Sequence, residues 1–102
     1  MQIRTIINDT GRTLRIWANE SLDLQQHDTF SKAAIVASYT LINDIEIDLQ
    51  NTRIIRDSGL ALLLMLRRKT RQRNGSMRLI NCPAELQTRF SNTSLAGDLR
   101  IA

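Results

Sequence analysis

The sequence contains very few of the residues that build disulfides, metal sites or membrane spans. Cys82 is the only cysteine and His27 the only histidine among 102 residues. A single cysteine cannot close an internal disulfide, and one cysteine with one histidine cannot make a Cys/His zinc site within one chain. The longest apolar run, residues 60–66, has seven residues, far fewer than the ~20 that a membrane helix needs. No metal, cofactor or membrane insertion is therefore expected.

Proline, glycine and aromatic residues are also scarce. One proline and four glycines leave no linker or low-complexity segment. A chain of 102 residues fits one domain of the usual ~100–150 residues. Residues 1–7 lack the apolar core of a secretory signal. These features predict a single domain over residues 1–102 that works in the cytoplasm, which is a reducing compartment.

The charge is small in total and uneven along the chain. The formal net charge is +4, but residues 53–78 contain eight basic side chains and one acid, Asp57, for a local charge of +7. None of the four aromatic residues lies in that block, so the platforms that stack single-stranded bases are absent from it. We expect a polar helix face or an acidic partner, and no direct binding of nucleic acid.

Alternating apolar and polar residues indicate the strands. Segments of this kind, or of β-rich composition, are residues 2–8, 12–18, 45–49 and 76–81. The sequence Asn8-Asp9-Thr10-Gly11 is typical of a hairpin turn. Residues 19–27 are polar and predict a loop.

Helical periodicity predicts a first helix over about residues 28–41, capped by His27 or Asp28. Pro83 is suited to the first position of a short later helix. A final turn and a short strand are expected within residues 95–101.

The longest predicted helix follows the short apolar strand Ile54-Ile55 and runs to about Arg73. Its first turns, residues 61–66, are apolar on all sides, so we expect them to be buried against the sheet. Asn74-Gly75 is a typical helix stop. The resulting order is β-β-α-β-α-β-α, which predicts an α/β fold: a small mixed sheet packed with helices and containing at least one parallel pair with a right-handed crossover.

The segment Asp57-Ser58-Gly59, where a strand meets this helix, carries the most specific local signal. Free N–H groups at a helix start carry about half a positive charge and accept anions. Ser58 can therefore be a site of phosphorylation, with Gly59 leaving room for a partner or phosphate to approach. The simpler interpretation is that Asp57 or Ser58 caps the helix. A hydrolase using Ser58 and His27 is disfavoured, because no G-x-S-x-G elbow surrounds the serine.

These motifs together resemble the STAS domain, the fold of bacterial anti-sigma factor antagonists. The resemblance rests on the hydrophobic–acidic strand at residues 45–49, the segment Arg56-Asp57-Ser58-Gly59-Leu60, Asn74-Gly75 and Leu22-Asp23. Arg56 stands where the family usually has an acid, and Asp57 replaces the first Ser or Thr of a pair.

The resemblance implies a signal-transduction protein that regulates transcription without catalysis of its own. Ser58 falls on the phosphorylated serine of the family, and the aspartate often near it falls on Asp23. Partner-binding residues would be Asp23, Arg56, Asp57, Ser58 and Gly59. The implied partners are a serine protein kinase or anti-sigma factor, released when Ser58 is phosphorylated, and a serine phosphatase.

Two other functions stay open at this point. A STAS domain can also be a non-catalytic accessory subunit of a membrane transporter for lipids or anions, although the presence of Ser58 favours the partner-switching regulator. Nucleic-acid binding by residues 67–73 would show a steep dependence on salt. We expect no such binding, because these residues fit the solvated end of a helix.

Overall fold

The computed structural model describes residues 2–8, 11–39 and 42–100. Within those ranges the chain forms six strands, three α-helices and two 3₁₀ turns. The strands are β1 (Gln2–Asn8), β2 (Gly11–Trp17), β3 (Ser21–Leu22), β4 (Ile42–Asp48), β5 (Ile54–Ile55) and β6 (Ser76–Ile80). The helices are α1 (His27–Tyr39), α2 (Asp57–Gln72) and α3 (Ala84–Gln87), and the 3₁₀ turns are Leu24–Gln26 and Ser94–Asp98. No helix in these ranges is long and apolar enough to span a bilayer.

The main sheet has the strand order β1-β2-β4-β6. β1 pairs antiparallel with β2, whereas β2, β4 and β6 are parallel neighbours. The predicted α/β fold with a small mixed sheet is confirmed. The predicted parallel pair is β4 and β6, which precede and follow α2 in the chain. The segment 19–27 was wrongly predicted to be all loop, because β3 lies in it and pairs in parallel with β5 in a second, two-stranded sheet.

Alternation in the central parts of β2, β4 and β6 separates the two faces of the main sheet. Leu14, Ile16, Ile45, Ile47 and Leu79 all point into the core and are at most 1% exposed. α1 packs on α2 and contacts β4, while α2 contacts β6. The helices therefore bury the apolar face of the sheet.

The opposite face carries a charged ladder across three strands. Arg15, Glu46 and Arg78 lie side by side in register. The Glu46 carboxylate lies 2.8 Å from Arg15 Nη2 and 3.0 Å from Arg78 Nη2. Cross-strand pairs of opposite charge stabilise a sheet by a few tenths of a kcal/mol to about 1 kcal/mol each.

The helical periodicity that predicted α1 is confirmed over the described residues: Phe30, Ala33 and Ala37, at spacings of three and four, are at most 1% exposed. The predicted cap is wrong. His27 and Asp28 lie inside the first turn of α1 rather than before it, and Asp23 caps the 3₁₀ turn that leads into the helix. The predicted end at Leu41 lies outside the described residues, as do Asp9 and Thr10 of the predicted hairpin turn.

Residues 61–66 of α2 were expected to be buried on all sides, and this prediction is wrong. Leu62, Leu63 and Leu66 are buried, but Ala61 is exposed and Leu64 is half-buried. Only one side of the helix packs against the core, so the apolar residues on its other side stay partly or fully exposed to solvent.

The predicted stop of α2 is confirmed. Asn74 has a φ of 62°, and the N–H groups of Asn74 and Gly75 donate to the carbonyls of Arg71 and Thr70 at 3.0 and 2.9 Å. This pair of bonds is a Schellman motif.

The chain after β6 departs from its predicted bounds by small amounts. Pro83 caps α3 one residue before the helix begins. In place of a final strand, Leu99 forms a single bridge with Leu79. Ile101 lies outside the described residues.

Candidate functional site

Ser58 lies in the first turn of α2, directly after the two-stranded sheet. Its side chain is half-buried, and its Oγ accepts a hydrogen bond of 3.0 Å from the backbone N–H of Leu24. Arg56, in extended backbone, is the N-cap residue, and no side chain caps the helix. The interpretation of Asp57 or Ser58 as a simple helix cap is therefore wrong. The Ser58 hydroxyl instead joins the start of α2 to the loop after β3.

Asp23 directly precedes Leu24 in the chain, and the hydrogen bonds of its carboxylate are to neighbouring residues rather than to Ser58. Oδ2 accepts from the Ser21 hydroxyl at 2.9 Å, and Oδ1 accepts from the Gln25 N–H at 3.0 Å. The Asp23 N–H in turn donates to Gln26 Oε1 at 2.8 Å, which completes a capping box. Asp23 thus holds the 3₁₀ turn that presents Leu24 to Ser58.

Gly59 has a different role from the expected one. A β-carbon at this position would lie 2.2 Å from the carbonyl oxygen of Leu22 and 2.7 Å from its carbon. The space that was expected to admit a partner or phosphate is therefore already filled by the backbone of β3. The same Leu22 oxygen accepts the Arg56 N–H at 3.0 Å. Glycine is required here because helix and strand backbones touch.

Arg89 is a residue of this site that sequence reasoning missed. Its Nε and Nη2 donate to the carbonyl of Ile55 at 3.0 and 2.7 Å, and Nη2 also donates to Asp57 Oδ1 at 3.1 Å. Asp57 is almost fully exposed, with 98% of its side chain accessible. Arg89 is 32 residues from Asp57 in the chain, so no local pattern indicates the contact.

The surface around the serine combines exposed apolar and charged side chains. We call it the Ser58 surface and define it as Leu24, Ile54, Arg56, Asp57 and Ser58. Leu24 is 65% exposed and Ile54 48% exposed, whereas large apolar side chains are usually covered. Arg56 and Asp57 are exposed and bring both signs of charge. This composition is typical of a protein contact surface.

Chemical groups suited to catalysis or metal binding do not converge here. In the described parts of the chain, no three metal-ligating side chains come together. His27 Nδ1 lies 3.3 Å from Oδ1 of its neighbour Asp28. Among the described residues, the Ser58 hydroxyl has one hydrogen-bond partner, the Leu24 N–H. Burial raises the pKa of the Cys82 thiol, and the Glu85 carboxylate raises it further. A raised pKa disfavours the nucleophilic thiolate.

Comparison with solved structures gives the same fold at low identity. The anti-sigma factor antagonist SpoIIAA in its unphosphorylated form matches with a TM-score of 0.80 and 17% identity, over 99% of this chain and 88% of that chain. The Bacillus cell fate determinant SpoIIAA in the phosphorylated form gives a TM-score of 0.65 and 17% identity, over 99% and 91%. An antisigma-factor antagonist STAS domain from Rhodobacter sphaeroides gives 0.51 and 16%, over 78% and 85%.

Comparison by sequence identifies the family. A search of curated proteins finds no match. The family model for the STAS domain matches residues 4–102, which includes every strand from β2 onward, all three helices and the Ser58 surface. The mixed sheet, the helix that has Ser58 in its first turn and this match agree, and the chain belongs to the STAS domain family.

Proposed function

We propose that the chain is a single-domain, non-catalytic partner-switching regulator of the anti-sigma-factor-antagonist type. Without phosphate on Ser58 it binds a serine protein kinase or anti-sigma factor through the Ser58 surface. Phosphorylation of Ser58 releases that partner, and a serine phosphatase restores binding. The output is the control of transcription in a bacterial cytoplasm. The likeness to unphosphorylated and phosphorylated SpoIIAA structures supports the proposal at the level of the fold.

The position of the Ser58 hydroxyl is the observation that carries this proposal. It is accessible at the edge of α2, and it accepts the N–H of Leu24, a residue with 65% exposure. A group added to this oxygen therefore changes the surface beside Leu24, without entering the core.

The helix start can accommodate a phosphate. The backbone of β3 fills the space at Gly59, but α2 has no side-chain cap, so a phosphate on Ser58 would lie beside first-turn N–H groups that no side chain occupies. The Leu24 N–H, which donates to Ser58 Oγ in the unmodified protein, would then donate to a phosphate oxygen. Arg56 is two residues away and exposed, whereas Asp57 beside it is held by Arg89. The two nearest charges oppose one another, so the modified protein should stay folded with little change in stability.

A bound partner would respond much more strongly than the fold. Phosphorylation adds about −1.5 to −2 charges and a tightly held hydration shell. A partner packed on Leu24 and Ile54 would have to strip that shell, and its contact surface fits a neutral hydroxyl. Desolvation of an uncompensated charge costs several kcal/mol, enough to break a protein contact of ordinary affinity.

The proposal is tested by co-expression with a candidate serine protein kinase of the partner-switching class, followed by mass-spectrometric mapping of phosphate. Partner affinity is then measured for Ser58→Ala, Ser58→Asp and the control Ser91→Asp, which adds the same charge at an exposed serine after α3. We expect Ser58→Ala and Ser91→Asp to bind like the unmodified protein and Ser58→Asp at least about tenfold more weakly. Phosphate on another residue, or equal affinity of Ser58→Ala and Ser58→Asp, would overturn the switch.

The transporter-subunit alternative makes a separate prediction. A pull-down from native lysate would then recover an ABC-type ATPase, and no kinase or phosphatase would copurify. The accessible Ser58 hydroxyl favours the regulator, because it offers a phosphorylation site in addition to its hydrogen bond with the Leu24 N–H.

A further inference from the structure

A basic groove lies at the other end of α2 from Ser58. It has a volume of about 430 Å³, within the ~300–1,000 Å³ range of ligand-binding clefts. The second 3₁₀ turn, Ser94–Asp98, forms its rim. We call it the arginine groove, and its lining residues are Leu64, Arg67, Arg68, Arg71, Gln72 and Ser94.

The chain itself places one carboxylate against this cluster. Asp98 Oδ2 lies 2.6 Å from Arg67 Nε, and Asp98 Oδ1 lies 3.9 Å from Arg71 Nη2. Arg67 also donates from Nη1 to the Ser94 hydroxyl at 3.1 Å. Two arginines one helical turn apart thus lie within ion-pair distance of one carboxylate, although Arg67 Nε and Asp98 Oδ2 are not aligned for a hydrogen bond.

The remaining cations of the cluster exceed the available acids. Residues 67–73 carry five basic side chains and no acid. Arg68 and Lys69 are exposed, and no described carboxylate lies within ion-pair distance of either. Arg68 and Gln72 are four residues apart, as Arg67 and Arg71 are, and each lies one position further along the helix. We call this second pair a seat for a carboxylate; Asp98 lies beside the first pair and makes no ion pair with the second.

We propose that the arginine groove binds an acidic segment of a partner protein, whose carboxylates take the seat at Arg68 and Gln72, with Arg71 beside it, and whose apolar side chain packs on Leu64. Carboxylate is the group that the chain already places beside these arginines. Leu64 is half-buried at the groove and offers an apolar contact that a free anion or a nucleic-acid backbone does not need.

The groove and the Ser58 surface lie along one helix. The positions of Asp57, Ala61, Leu64 and Arg68 follow at spacings of four, three and four residues and share the outward face of α2. Ser58 and Arg68 are about 15 Å apart along the axis at 1.5 Å per residue. One bound protein can therefore span both surfaces, although the groove proposal does not require phosphorylation of Ser58.

The test is an NMR titration with a short synthetic peptide of glutamates around two leucines, with the glutamine-for-glutamate peptide as its uncharged control. We expect amide shifts at Leu64, Arg68, Gln72 and Ser94, and binding of the acidic peptide alone. Arg68→Glu should lower its affinity by at least about tenfold, and Lys69→Glu by no more than about twofold. Both residues are exposed on the same helix, and both substitutions change the charge by the same amount. Lys69 faces a different groove, beside Ala34 and Arg73.

Several outcomes would overturn the proposal. Equal losses for Arg68→Glu and Lys69→Glu would mean unspecific attraction to a basic helix. Tighter binding of inorganic phosphate or duplex DNA than of the acidic peptide would mean a different ligand class. Ser58→Asp serves as a separate check: it should leave the peptide affinity unchanged, so failure of the groove and failure of the switch are distinguishable.

Discussion

Replacing Gly59 with alanine would place a methyl group 2.2 Å from the carbonyl oxygen of Leu22 and 2.7 Å from its carbonyl carbon. Carbon atoms in ordinary contact lie ~3.5–4.0 Å apart, so helix and strand would have to separate by about 1 Å. The Leu22 oxygen cannot rotate away freely, since it accepts the Arg56 N–H at 3.0 Å. The strain falls on backbone atoms, which have no alternative rotamer.

The expected loss of stability combines two opposed effects. Alanine in a helix interior is about 1 kcal/mol more favourable than glycine, whereas overpacking costs ~1–3 kcal/mol and occasionally more. Because the obstruction at Gly59 is backbone, we place the cost at or above the upper end and the net loss at about 2 kcal/mol. At ~4–8 °C per kcal/mol for a domain near this size, Tm should fall by about 8–16 °C.

Thermal denaturation followed by circular dichroism measures this change, with Gly97→Ala as the matched control. Gly97 is exposed, and a β-carbon there would meet nothing within 4 Å, so Tm should stay within about 2 °C. A Gly59→Ala protein that melts with the Gly97→Ala protein would refute the argument that the two backbones touch.

Three further changes probe other parts of the structure. Leu63→Asp should unfold the protein, because Leu63 is fully buried, whereas the half-buried Leu64 should tolerate Leu64→Asp; urea denaturation distinguishes the two. Asp23→Ala should lower the free energy of unfolding by about 1 kcal/mol through loss of the cap, and faster amide hydrogen exchange should appear first in the 3₁₀ turn. The raised pKa of Cys82 keeps the folded thiol protonated to higher pH, so alkylation at pH near 8 should be slower than in the urea-unfolded chain and should quicken with Glu85→Gln.

The features that could be predicted from the sequence are those that a local pattern contains. β4 alternates apolar and acidic residues because one face meets the core, and the alternation is visible without any partner. Asn74-Gly75 was recognised as a helix stop for a similar reason, since a left-handed residue needs only its own turn. Ser58 was located by the junction of a short strand and a helix.

The features that sequence reasoning missed depend on contacts between distant segments. The close approach of Gly59 to Leu22, the bonds of Arg89 to Ile55, and the cap at Asp23 each need a neighbour that no local window contains. Leu64 was wrongly predicted to be buried, because in an unbroken apolar run no polar residue marks which side of the helix faces solvent. The spacing of Gly59, Leu62, Leu66 and Thr70 does contain that information, and it could have shown which side of α2 faces the core.

The Schellman end of α2 also affects how the protein ages. In an Asn-Gly pair the glycine nitrogen can attack the asparagine side-chain amide, forming a cyclic imide that hydrolyses to aspartate or isoaspartate. In the folded chain the Gly75 N–H donates to the Thr70 carbonyl at 2.9 Å, and Asn74 is held at a φ of 62°. That nitrogen must leave its hydrogen bond before it can react. Deamidation at Asn74 therefore requires fraying of the last turn of α2, and its rate in a stored sample reports how often that turn opens.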